Sequence, residues 1–191
     1  MMQDQQRQAL RKRQWLYLNG LLVAVLLLLG LLLAFNVTAP QFFLVVGLLF
    51  LVTPVSIWVF KESNPLLRAL PGMGELSQYE HEKLGESWGN YQFSTALLQT
   101  ACSLFFFVQA FIREGGAPFR EGIPIWYFIV VPVIILLIIN LNHRSHIKRM
   151  DGKTPEQLHT YAEEKKLFST VFASVTLVMT LIGTCVVMLL S

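Results

Sequence analysis

Five apolar stretches, at residues 15–35, 42–60, 93–112, 123–140 and 167–190, constrain this chain more than any other feature. A helix rises about 1.5 Å per residue, so about 18–20 apolar residues cross a hydrocarbon core about 30 Å thick. Each stretch meets that length with Asp, Glu, Lys, Arg and His absent from its core. The charged residues, 14% of the chain, are gathered between the stretches instead of being spread as a soluble surface requires. The expected fold is an all-α integral membrane protein with five transmembrane helices, forming one membrane domain over residues 1–191.

The basic residues orient it. Thirteen of the fifteen Lys and Arg residues lie before the first stretch or in segments 61–92 and 141–166, and only Arg113 and Arg120 lie elsewhere. Short basic loops resist translocation, so this sorting predicts a cytoplasmic N-terminus and an external C-terminus. Arg7, Arg11, Lys12 and Arg13 ahead of a leucine-rich run resemble a secretory leader. The run is longer than the 7–15 residues of a signal core, so an uncleaved first span is expected. Cys102 and Cys185 both fall within apolar stretches, and no disulfide framework is implied.

The two inner loops share a pattern. Leu76, Tyr79, Glu82 and Lys83 recur as Leu158, Tyr161, Glu164 and Lys165, and Phe-Ser-Thr opens the next span in both cases, at Phe93 and Phe168. Chance similarity and a parallel repeat of 42–112 and 123–190 both account for this. Both loops are expected to form short cytoplasmic interfacial helices. Thr154-Pro155-Glu156-Gln157 is a capping box with proline at the first helical position. Ser77 and Glu80 offer a weaker version, and Gly85 and Gly89 predict a looser segment around Trp88 and Tyr91.

No motif names a reaction. Intramembrane ionisable groups usually mark ion or proton paths, and the polar residues inside the spans are neutral: Asn19, Gln99, Ser103, Gln109 and Asn140. They suit interhelical hydrogen bonds, or alternatively the lining of a path through a homo-oligomer. Ser169, Ala173, Thr176, Thr180, Gly183 and Thr184 give the fifth span a small-residue face, suited to packing on the third span or on a partner. His143 and His146 lie beside Arg144 and Lys148 without a third ligand at metal spacing, so solvated histidines are expected and no metal site. Glu80, His81, Glu82 and Glu86 form the densest titratable cluster and suggest a hydrated helix face. No cofactor motif and no nucleic-acid signature is present, because the basic residues are explained by membrane orientation.

The polar loop, the Leu-x-x-Tyr-x-x-Glu-Lys stretch and the following span resemble small multi-pass membrane proteins of Gram-positive bacteria, including the sporulation-delaying-protein immunity type. The resemblance covers 73–95 and 154–184 and does not extend across the first two spans. It implies a bacterial cytoplasmic membrane and a protective or regulatory role, with no catalytic residues. The expected function is therefore a non-catalytic immunity, accessory or regulatory subunit that packs against a membrane partner. Alternatives are a homo-oligomeric channel or transporter lined by Gln99, Ser103, Gln109 and Asn140, and a membrane enzyme acting on lipid.

Overall fold

The computed structural model describes residues 4–60, 69–113, 115–116, 118–121 and 123–190. Residues 61–68 of the first inner loop and the C-terminal Ser191, whose placements were expected from charge, lie outside the described residues. Among the described residues six α-helices follow one another: α1 Asp4–Ala34, α2 Ala39–Phe60, α3 Met73–Leu84, α4 Trp88–Ile112, α5 Tyr127–Gly152 and α6 Pro155–Leu190. Five of them, all but α3, contain windows long and apolar enough to cross a membrane.

Several helices outrun their apolar stretches. α1 begins at Asp4, so its basic N-terminal segment is helical and continuous with the span. α6 runs unbroken for 36 residues from its capping box, where the Thr154 N–H meets Gln157 Oε1 at 3.2 Å and the Gln157 N–H meets Thr154 Oγ1 at 3.4 Å. α3 starts four residues before the Ser77 expected to cap it. Its start is set by Gly72, at φ +81°, where a Cβ would lie 2.6 Å from Leu10 Cδ2 of α1. Only glycine allows both that backbone conformation and that approach.

The glycines expected to loosen the following segment confine the break to one turn. Gly85–Ser87 is a 3₁₀ turn, Gly85 sits at φ +51°, and α4 begins immediately afterwards, so Trp88 and Tyr91 are helical. A positive-φ glycine concentrates the bend, which lets the helix restart instead of dissolving it.

α4 is the central helix, packed along α2 on one side and α6 on another. Gly47 of α2 supports the α2–α4 contact, because a Cβ there would stand 2.8 Å from the Phe107 ring. The Ser103 hydroxyl bonds the Gly47 carbonyl at 2.8 Å across the same contact. Phe50 and Phe43 stack on Phe106 at 5.5 and 6.1 Å. α1 and α5 form a separate pair, joined by reciprocal side-chain amide bonds between Asn19 and Asn140 at 2.8 and 3.1 Å. The Trp15 indole N–H adds a bond to Asn140 Oδ1 at 2.7 Å.

The two ends of the molecule are closed differently. At one end Phe119 is bonded through its N–H to the Val37 carbonyl at 2.8 Å, Thr38 and Pro118 form a single antiparallel bridge, and Phe119 stacks on Phe42 at 4.4 Å. The opposite end, where α1, α4 and α6 start and α5 finishes, carries α3 and two apolar clusters. One comprises Leu10, Met73 and Leu76; the other comprises Leu84, Met150 and Leu158. These clusters lie outside the apolar stretches, whereas the spanning windows of α1, α5 and α6 are 0% buried within the chain and turn apolar side chains outward.

Candidate functional site

Between the two apolar clusters lies a buried network centred on Arg11. The helical start of α1 carries this guanidinium inward beside Leu10, and it is only 6% exposed. Arg11 forms a fork with Asp151 at the end of α5, Nη2 to Oδ1 at 2.9 Å and Nε to Oδ2 at 3.3 Å. Its Nη1 donates to Glu80 of α3 at 2.5 Å and to Gln14 at 3.0 Å. One cation thus joins three helices. A guanidinium presents its donors in a planar fork, so it can meet two carboxylates at once where an ammonium would act as a single point.

Histidine extends the network to a fourth helix. His146 Nε2 lies 3.5 Å from Glu80 Oε1, and Nδ1 lies 3.1 Å from the Tyr91 hydroxyl. Lys165 of α6 places its ammonium 3.4 Å from the centre of the Tyr91 ring and donates to Thr95 Oγ1 at 2.9 Å. Lys83 donates to the Met150 carbonyl and, at 3.2 Å, to the Asp151 carbonyl. A cation at a helix C-terminus satisfies carbonyls that have no intrahelical donor and complements the helix dipole.

Burial and charge compete at each group. Burial alone would raise the Glu80 carboxyl, but the His146 hydrogen bond and the charges of His146 and Arg11 bring it down to about 2. Burial pushes the Tyr91 hydroxyl well above the usual tyrosine range, with nearby Tyr161 and Glu80 adding to it. Burial lowers Lys165 to about 8, opposed by the charge of Glu80. His143 falls to about 4 through burial and the charges of His146 and Arg11, and its Nε2 is buried with no hydrogen-bond partner among the described residues.

The residues singled out by sequence divide among several places. Leu76 and Leu158 are both buried at the cores of the two clusters, with Tyr79 and Tyr161 packed beside them. Each tyrosine ring also takes two cations, Arg7 and Lys83 on Tyr79, and Arg149 and Lys153 on Tyr161. Ser94 and Ser169, at matching positions of the two Phe-Ser-Thr segments, are both 0% exposed and both bond the carbonyl four residues earlier. The lysines diverge: Lys83 caps α5 while Lys165 enters the network. Glu82 and Glu164 are exposed, and Glu82 accepts from Gln78 at 3.0 Å.

Two sequence expectations are corrected here. Glu80 does not belong to a hydrated face with His81, Glu82 and Glu86; those three are exposed, whereas Glu80 turns inward to Arg11. His146 and His143 are half-buried instead of solvated, because the helix that carries them folds its polar face onto α1 and α4. Among the described residues no three His, Cys, Asp or Glu side chains converge on a point a metal could occupy. Glu80 and Asp151 meet the Arg11 guanidinium, and His146 meets Glu80.

The neutral polar residues are not brought to one line. Ser103 lies in the α2–α4 contact, Asn140 in the α1–α5 pair, Gln109 accepts at 3.4 Å from Arg113 just past the end of its helix, and Gln99 is half-buried on α4. On α6, Ser169 is buried at the start of the small-residue face. Ala173, Thr176, Thr180 and Thr184 are half-buried, and Gly183 is exposed with nothing within 4 Å of a Cβ built there.

Arg11 and Asp151 were the residues that sequence reasoning did not single out. Their signal is faint but present: Leu10 and Met150 are isolated apolar residues among charges, and each marks the inward face of a helix that continues beyond its span. No protein-family model, no curated protein and no solved structure matches the chain.

Proposed function

We propose that this chain is a non-catalytic multi-pass protein of a bacterial cytoplasmic membrane, acting as an immunity, accessory or regulatory subunit by lateral packing on a membrane partner. The charge sorting supports a cytoplasmic N-terminus, which puts the Arg11 network, α3 and its interfacial setting on the inner face and the Phe119 closure outside. The network's charges face one another across helices, which suits a latch that holds the bundle in shape.

The observation that carries the reading is the course of α6. At Ser169 it is fully enclosed, whereas Thr176, Thr180 and Thr184 are only half-buried and Gly183 beside them is exposed, with nothing within 4 Å of a Cβ built there. Thr180 and Thr184 donate to carbonyls of their own helix at 2.7 and 2.8 Å, so this face needs no hydrogen bond from its neighbour. A partner helix can approach closely there, and van der Waals packing drives such association in a bilayer.

Crosslinking and mass spectrometry in native membranes tests this directly. One defined membrane protein should crosslink to α6, and Gly183→Leu should abolish that crosslink while the variant retains its thermal transition. A crosslink of undiminished yield in Gly183→Leu would overturn the α6 reading.

A further inference from the structure

The end of the molecule opposite the Arg11 network contains an open cleft of about 510 Å³, within the range of about 300–1,000 Å³ typical of small-ligand sites. Its walls come from the last turns of α1, at Gly30 and Leu33, from the approach to α5, at Ile125, and from the first turn of α5, at Phe128. Arg120 and Glu121 line it as well, both exposed and neither with an ion-pair partner among the described residues. A Cβ built on Gly30 meets nothing within 4 Å, so the cleft is open along that wall and a larger side chain there would project into it.

We propose that this cleft binds one phospholipid with a zwitterionic, primary-amine headgroup. The walls belong to the ends of two spanning segments, so the cleft opens where hydrocarbon meets headgroups and acyl chains are the abundant apolar species. Arg120 supplies a planar donor fork for the phosphodiester. Glu121 accepts from the ammonium, which carries three donors; a trimethylated amine has none to give, and an anionic headgroup without an amine meets a like charge. The adjacent opposite charges therefore select for a headgroup that carries both. The leaflet follows from the orientation proposed above, and would be the outer one. The binding site itself rests on the cleft alone.

The test is lipid retention by the purified full chain, measured by native mass spectrometry after equilibration with equal amounts of phosphatidylethanolamine, phosphatidylcholine and phosphatidylglycerol. One phosphatidylethanolamine should be retained with a preference of about fivefold over phosphatidylglycerol, the size expected of a partly exposed charge contact. Glu121→Gln should bring that preference close to parity while retention persists. Gly30→Leu should suppress retention of all three lipids with the thermal transition unchanged. Equal retention of the three lipids by the unaltered protein would mean ordinary boundary lipid and would overturn the proposal. So would a preference unaffected by Glu121→Gln, which also decides the matter if Gly30→Leu fails to fold.

Discussion

Arg11 satisfies two buried carboxylates from elements far apart in the chain, so its removal leaves both without their cation. Arg11→Met is expected to destabilise the protein by about 3–5 kcal/mol, the usual cost of breaking a buried ion pair on one side. Thermal or denaturant unfolding in detergent checks this, and Arg11→Lys should recover only part of the loss because an ammonium lacks the fork. Glu80 gives the pH dependence its sign. Its carboxyl is held down to about 2, below its ordinary value, so its contribution is fully present above the unfolded pKa near 4.5 and lost as pH falls through about 2. His143, lowered to about 4, adds a loss in the same direction that begins nearer pH 6.5. Lys165 acts in the opposite range: lowered to about 8, it makes stability rise between about pH 8 and 10.5. A melting temperature measured against pH should show both slopes, with Glu80→Gln flattening the acid limb and Lys165→Met the alkaline one. None of this was legible from residue type alone, since Arg11 stands among Arg7, Lys12 and Arg13 with nothing but Leu10 to mark the buried face.

Elements were far more legible than sites. All five spans emerge from apolar length, and the α6 start emerges from its capping box, because both depend on residues adjacent in sequence. Thr154→Ala is expected to cost about 1 kcal/mol and to fray the first turn of α6, visible as faster amide exchange at 155–158. The start of α3 was misplaced because Gly72 is selected by a distant contact with Leu10, which no local pattern reveals. The same holds for Gly47. Sequence offers it as one glycine within an apolar span, whereas the structure sets it under the Phe107 ring. Gly47→Leu is expected to destabilise by about 1–3 kcal/mol through overpacking, and a helix-proximity crosslink between α2 and α4 should weaken with it.

At the scale of the whole molecule, α2, α4 and α6 form one unit and α1 with α5 another, tied together mainly at the two ends. The Asn19–Asn140 amide pair is the intramembrane tie within the second unit. Asn19→Leu and Asn140→Leu should each cost on the order of 1 kcal/mol, with a double-mutant cycle returning coupling between them. The order of synthesis gives the Arg11 network a further significance. Arg11 is made early, and Asp151 follows 140 residues later. At about 5–20 residues per second, the first helix waits on the order of ten seconds for its second carboxylate. The network therefore closes only once α5 has been made to its end: a chain stopped before Asp151 can pair Arg11 with Glu80 but leaves the fork to Asp151 unfilled.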